Sequence, residues 1–509
     1  MTTSPMPFAL RTTALGGSPL GQAVRAGTTP AEWTASVPSG VAAWRERATM
    51  IAAEHPDWLE PLRPAFGEGA QLLEPLGPAG VVVTTGQQPG LFGGPIYTLA
   101  KALSALAMAQ AHERATGIPT RAVFWAATDD ADYAEAASIA VPGLAGAERL
   151  SLAPSAAGEG VPLACVPLGA EVEALVARLA ATCGSAAAAQ FVESARHFTA
   201  GTMIGAAYVA QLRALLEPLG IAVLDAAHPA VGERSRSWLA SGLEQSAVVD
   251  QALRERAAAI EAAGYVLPVV VDRTLSLVFV WEGTAVAPHK RRLAVGERPA
   301  ARVRLSPNVL LRPVLEAWLL PTTTYVAGPG ELAYFAQVGA VAAALGRPAP
   351  LALPRWSGML IPEEARTVLD AHGWSEDMLR DPHAAESALA RARLPEEVAS
   401  ALGRLRSGVA RDVEVLGQIL PEAAVAGARS DLGRRVDRIE RRALAAVKHR
   451  EAVTLRAVAR ARGQLYPFGA AQERTLSFVP FLARYGMAYL EAKLAAARVH
   501  AATWWPEAQ

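Results

Sequence analysis

The chain has 509 residues, too many for one hydrophobic core, so two or three domains are expected. Its 48 basic residues balance 48 acidic ones, which removes any general electrostatic drive toward nucleic acid. The two cysteines, Cys165 and Cys183, form neither a disulfide framework nor a metal motif, as expected of a protein in a reducing cytoplasm.

Residues 1–75 read as mostly helical and polar, with turns at Gly16–Pro19 and Pro38–Gly40. The opening MTTSPMPFALRTTALGG has no apolar core behind a basic start, so no secretory signal is expected. No apolar run reaches ~18 residues free of charge, so no membrane span is expected. From Gly80 the pattern changes. Val81, Val82 and Val83 form a continuous β-branched run, the mark of a parallel strand covered on both faces. A glycine-rich turn follows, and Tyr97–Arg114 predicts a helix with Leu99, Leu103 and Leu106 on one stripe. Arg121–Ala126 predicts the next strand, which completes a βαβ order. Gly220–Asp225 predicts another strand, ending at a turn around His228.

YVLPVVVD and LSLVFVW, on either side of DRT, predict a hairpin within Tyr265–Trp281, so residues 265–320 read as an insertion carrying antiparallel strands. Pro321–Ala327 returns to a core strand and Gly330–Ala342 predicts a helix. Beyond Arg355 two series of alternating four- and three-residue spacing appear. One runs from Val398 through Leu405, Val409, Asp412 and Leu416 to Ile419; the other runs from Leu432 through Val436, Ile439 and Arg450 to Ala457. Separated by the break at Pro421, they predict an antiparallel coiled-coil hairpin, with a plain amphipathic bundle as the alternative. Asp412 and Arg450 in the seam either fix register or face solvent. The second arm, about 35 residues, would span ~50 Å.

The fold class expected is α/β: a Rossmann-like core with inserted connecting regions and a C-terminal antiparallel coiled-coil domain. The organisation is an N-terminal helical part (1–75), the Rossmann-like core (76–264), the connecting insertion (265–320), a core continuation (321–375), the helical hairpin (376–463) and a C-terminal segment packing on the core (464–509).

The candidate chemistry gathers at strand ends, the usual place for a pocket in such a sheet. In TTGQQPGLFGGP the glycines, beginning with Gly86, allow turns that place amide donors near a ligand. Gln87 and Gln88 are neutral donor–acceptors suited to a carboxylate or a sugar hydroxyl. The spacing is neither a P-loop nor GxGxxG. Asp129, Asp130 and Asp132 repel one another unless they face a cation, a metal or a substrate amine; the plain alternative is a helix cap with first-turn acids. Asn308 and Arg312 in LSPNVLLRP suit a carboxylate or phosphate. Gly328 and Gly330 open a helix with Glu331 in its first turn, as for anion or ribose binding or simple capping. Arg474 and Arg484 in the tail, the latter beside Tyr485, offer further positive charge for phosphate. No histidine pair has a zinc spacing, so no metal site is expected.

The segments TTGQQPGLFGGPIYT, FWAATDDAD, SPNVLLRP, YVAGPGELAYFAQ and QERTLSFVPFLARYG together resemble the BshC family of bacillithiol biosynthesis, to which a cysteine-adding activity is ascribed. The likeness runs over nearly the whole chain. It implies a Rossmann-like core related to class I aminoacyl-tRNA synthetases and a coiled coil that forms a homodimer. It also implies an ATP-dependent ligase joining the carboxyl of cysteine to the amine of glucosaminyl malate. The roles that follow are Asp130, Asp132 and Gln88 in catalysis and Gln87, Tyr97, Asn308, Arg312, Glu331 and Tyr334 in substrate binding. Gly86, Gly328, Gly330, Arg474 and Arg484 are assigned to ATP, with Mg²⁺ as a candidate companion. One departure stands out: where family members usually read an acid followed by Asp-His-Asp, this chain has Asp129-Asp130-Ala131-Asp132. Another ATP-dependent C–N ligase or nucleotidyl transferase for a different small amine, or a non-catalytic nucleotide-binding scaffold, remain the alternatives.

Overall fold

A computed structural model describes residues 7–155, 159–183, 193–272, 274–284, 287–300 and 302–505. The chain divides into two compact units. The larger comprises Leu10–Val141, Arg149–Met359 and the segment from Glu473; the smaller comprises Pro142–Glu148, Leu360–Gln472 and the residues before Leu10.

The larger unit is built on five parallel strands: β1 (Val81–Gln87), β2 (Thr120–Ala126), β3 (Ile221–Asp225), β4 (Thr322–Ala327) and β5 (Ala352–Pro354). Their order across the sheet is β3-β2-β1-β4-β5. This is the order of a doubly wound Rossmann sheet, and its direction reverses between β1 and β4, where such sheets open a crevice at their carboxyl edge. The β-branched run is fully enclosed, as a two-sided parallel strand must be: Val81, Val82 and Val83 are all buried.

Helix α1 (Ile96–Thr116) connects β1 to β2 and ends at Gly117, whose φ of 72° is the left-handed cap that glycine supplies. The expected single leucine stripe is corrected: 16 of its 21 residues are buried. The helix packs on β1 and β2 and against the tail helix Val479–Ala501, and its many alanines let neighbours approach on every side. The tail also holds the start of this helix, for the Ile96 N–H donates to the Leu476 carbonyl at 2.9 Å. The first 75 residues are helical from Pro19 onward, but not polar throughout: Trp44, Leu62 and Phe66 are core residues.

The hairpin lies one strand later than the sequence suggests. Tyr265–Asp272 forms no strand, and Arg273 lies outside the described residues. Leu275–Thr284 pairs instead with Ala287–Ala294 and with Arg304–Pro307 in a three-stranded antiparallel sheet. Pro268 interrupts the earlier run, and the Gln337 side chain takes both polar groups of Val269, accepting from its N–H at 3.1 Å and donating to its carbonyl at 2.9 Å. Val266 and Val270 point to solvent.

In the smaller unit, α2 (Glu396–Leu416) and α3 (Glu422–Arg450) pack as a hairpin, followed by α4 (Ala452–Leu465). Arg406 bridges Asp437 and Glu440, each at 2.7 Å, which fixes the antiparallel register. The long second arm is shorter than expected, because the helix breaks at Glu451; 29 residues span about 44 Å. Asp412 and Arg450 face solvent, while Val413, Val436 and Val447 fill the seam. Leu405, Leu416, Ile419, Leu432 and Ile439 are exposed.

Candidate active site

The chain leaves β1 through Gly86, where backbone packing rather than ligand approach requires glycine: a Cβ would stand 2.8 Å from the Trp125 carbonyl oxygen on β2. The following turn places Phe92 at φ 52°, an uncommon conformation for a bulky residue, held by burial against Phe198 at a centroid distance of 5.2 Å. The Gly93 and Gly94 N–H groups donate to the Gly90 and Leu91 carbonyls, so these amides close the turn itself.

This turn floors a cleft of about 340 Å³ whose lining includes Gln87, Gln88, Tyr97, Glu135, Arg149 and Arg474. The Gln87 amide donates to the Tyr97 hydroxyl at 3.2 Å. The guanidinium of Arg474 lies 5.9 Å from the Tyr97 ring centroid and that of Arg355 lies 6.0 Å from it. The buried Thr98 hydroxyl, which also lines the cleft, has no hydrogen-bond partner among the described residues. A buried hydroxyl without a partner is costly unless a bound group supplies one. Glu135, at the rim, is held above the usual carboxylate range by partial burial and by Asp132 and Asp130, against a hydrogen bond from Gln88.

Asp130 and Asp132 precede this wall by one turn. The Asp130 carboxylate accepts from the Asp132 N–H at 2.9 Å, and burial pushes its carboxyl up despite that bond. Asp132 caps the short helix Tyr133–Ala136. Asp129 is engaged by Lys290, which donates to its carbonyl at 2.7 Å and lies 3.8 Å from its carboxylate.

Behind the cleft lies a buried charged network. Lys101 on α1 reaches Glu331 at 2.7 Å, the Gln87 amide oxygen at 3.4 Å and the Gly86 carbonyl. Glu331 accepts from the Tyr325 hydroxyl at 2.5 Å and from the Gly328 N–H at 2.6 Å. Burial works to raise the Glu331 carboxyl, but Lys101 and Tyr325 outweigh it and hold it below its ordinary value. Arg312 continues the chain to Glu316 at 2.6 Å and to the hydroxyls of Tyr325 and Tyr334 at 3.2 and 3.3 Å. The helix start at Gly328 therefore carries its own carboxylate, while Gly330 has open space around it.

The residues assigned from sequence thus separate. Gln87, Gln88, Tyr97 and Arg474 meet in the cleft. Arg312, Glu331 and Tyr334 join through the network. Asn308 closes a turn, accepting from the Leu310 and Leu311 N–H groups at 3.1 and 3.0 Å. Arg484 is exposed beside Tyr485, 5.4 Å from its ring centroid, and is not part of the cleft lining. Sequence reasoning missed Lys101, Glu135, Arg149, Thr98 and Arg355. Lys101 alone left a signal, as the only charge other than histidine between Ile96 and His112.

Comparison with known proteins matches the same architecture. The model of the bacillithiol biosynthesis BshC N-terminal Rossmann-like domain covers residues 69–293 and 295–356, and that of the BshC C-terminal coiled-coil domain covers residues 418–504. A protein of Solibacter usitatus named "Putative cysteine ligase BshC" is 30% identical over 465 residues, spanning 87% of this chain and 85% of its own. Namesakes from Koribacter versatilis and Heliobacterium modesticaldum are each 30% identical, spanning 83% and 82% of this chain and 83% and 81% of their own. With family models over both regions and relatives along most of its length, the chain belongs to the BshC family.

Proposed function

We propose that this protein is an ATP-dependent ligase that joins the carboxyl group of cysteine to the amine of glucosaminyl malate, in the cytoplasm. Membership in the BshC family supports the ligase class. The observation that carries the substrate reading is the cleft at the switch point, where two guanidinium groups, two glutamine amides and a carboxylate converge. Arg149 and Arg474 suit anionic groups, whether malate carboxylates or phosphate. Gln87 and Gln88 orient the polar substrate.

The reaction proceeds in two balanced steps. The cysteine carboxylate attacks the α-phosphorus of ATP, forming a cysteinyl adenylate and releasing pyrophosphate. The amine nitrogen then attacks the acyl carbon, the bond to AMP breaks, and the amine proton passes to a carboxylate. Glu135 and Asp130 are assigned that last role because both hold their protons more tightly than an ordinary carboxylate. Mg²⁺ would accompany the phosphates. ATP–pyrophosphate exchange that requires cysteine, followed by amide formation with glucosaminyl malate, is the expected result. Exchange with cysteine but no product with this amine favours ligation to another small amine, a reading that Ala131 supports. Stoichiometric copurification with a partner and no exchange favours a scaffold.

We assign the exposed apolar residues Leu405, Leu416, Leu432 and Ile439 to a homodimer interface. Sedimentation at micromolar concentration should give a dimer, and a monomer would remove that assignment.

A further inference from the structure

The geometry points to Lys101 as a positioning residue that locks the Gln87 side-chain amide with its NH₂ group facing the cleft. This rests on the reading of the cleft as a substrate site and adds the residue that sets its donor pattern.

Lys101 is 2% exposed, yet its ammonium is matched group for group. It offers three N–H donors and no acceptor. Three acceptors surround it: the Gly86 carbonyl, the Gln87 amide oxygen at 3.4 Å and the Glu331 carboxylate at 2.7 Å. Only the oxygen of the Gln87 amide can face such a group, so its NH₂ must turn the other way, toward the Tyr97 hydroxyl at 3.2 Å. The orientation of a glutamine amide is usually ambiguous, but a donor-only neighbour decides it.

Lys101 cannot drift, because its counter-ion is held from both sides. One Glu331 oxygen accepts from the Gly328 N–H at 2.6 Å and the other from the Tyr325 hydroxyl at 2.5 Å. The ion pair therefore ties α1, and through the Gly86 carbonyl the end of β1, to the helix start after β4, across the switch point. The consequence is chemical selection. At Gln87 the cleft offers a donor, so it favours a carboxylate or carbonyl oxygen of the bound molecule over an N–H.

The single change K101M leaves Glu331 buried without its counter-charge and threatens the fold. The double change K101M/E331Q removes both charges and keeps the volumes. In that protein KM for glucosaminyl malate, with cysteine and ATP saturating, should rise about tenfold while kcat stays within about threefold. Q87A should have a similar effect, and Q87A/K101M/E331Q should be no worse than Q87A. Full additivity of the two effects would overturn the assignment, since a residue acting through Gln87 has nothing left to position once Gln87 is gone. A second measurement needs neither turnover nor a change at Lys101. With glutamine-selective ¹⁵N labelling, the Gln87 side-chain amide, identified by its loss in Q87A, should be displaced from the position of an exposed glutamine and should move on Tyr97→Phe. A Gln87 amide at the exposed position overturns the inference. Failure of the wild-type enzyme to use glucosaminyl malate overturns the substrate reading alone.

Discussion

The Asp132 carboxylate accepts a hydrogen bond from the Glu135 N–H at 3.0 Å and so caps the helix that carries Glu135 into the cleft wall. This relationship gives Asp132 a conformational role upstream of any chemistry. Asp132→Ala should cost about 1 kcal/mol of stability. Asp132→Ser keeps a capping oxygen and should restore both stability and turnover. Thermal melts and steady-state rates of the two proteins check this. A D132S enzyme as slow as D132A would give the carboxylate itself a part in the reaction.

Asp130 and Glu135 make a distinct pH prediction. Burial raises the Asp130 carboxyl, and partial burial with neighbouring Asp132 and Asp130 raises that of Glu135. An acceptor of the amine proton must be ionised, so kcat/KM should fall on the acid side at a pH above the ordinary carboxylate value of about 4. Stability should show the opposite trend. A carboxyl with a raised pKa in the folded state favours folding below its unfolded pKa, and that contribution is lost as pH rises through the folded value. Asp130→Asn should therefore lower turnover at least tenfold at neutral pH while leaving stability unchanged or higher. A D130N enzyme at the wild-type rate would remove Asp130 from the mechanism.

How much of this was legible in the sequence depends on the kind of signal. Val81–Val83 and Ile221–Asp225 announced strands because β-branched runs bounded by glycine have few other uses. Val266–Val271 carried the same composition and misled, because Pro268 and the distant Gln337 decide the outcome there. Alanine richness hid the burial of α1, since alanine marks neither face of a helix. Asn308 looked like a ligand group but spends its side chain on a turn, a competition that spacing alone does not resolve.

The glutamines of the site were legible as a local pair of donor–acceptors, whereas the convergence of Arg149 and Arg474 on them was not, because these residues come together only through the tertiary fold. Lys101 is the instructive case. A lone charge in an apolar helix must be paired when buried, so its isolation was a signal, but its partner Glu331 lies 230 residues away.

His112 provides a test that does not involve the active site. Its ring is buried between Trp44 and Trp505, at centroid distances of 5.8 and 5.9 Å, and burial lowers its pKa from 6.5 to about 4. The unfolded chain takes up a proton near pH 6.5, and the folded chain does so only near pH 4. The stability this group contributes is therefore present above pH 6.5 and lost as pH falls through that window. The loss is on the order of 3 kcal/mol by pH 4. Denaturant unfolding of His112→Phe should show a flatter acid limb than the wild type. Parallel limbs would mean that His112 titrates normally.

Gly86 separates a packing role from a ligand role most cleanly. It lies in β1 beside Trp125 of β2, and a Cβ there would meet the Trp125 carbonyl oxygen at 2.8 Å and its Cβ at 3.0 Å. The adjoining backbone is a central parallel strand that cannot yield without disturbing its ladder. Gly86→Ala should therefore destabilise the fold by roughly 1–3 kcal/mol, the range for overpacking a close-packed site. The strain falls on the strand that presents Gln87 and on the carbonyl that receives Lys101. Substrate affinity should consequently fall along with stability. A melt of G86A beside its KM for glucosaminyl malate checks both. A protein of wild-type stability but weakened binding would show that Gly86 is needed for close approach of a ligand instead of for packing against Trp125.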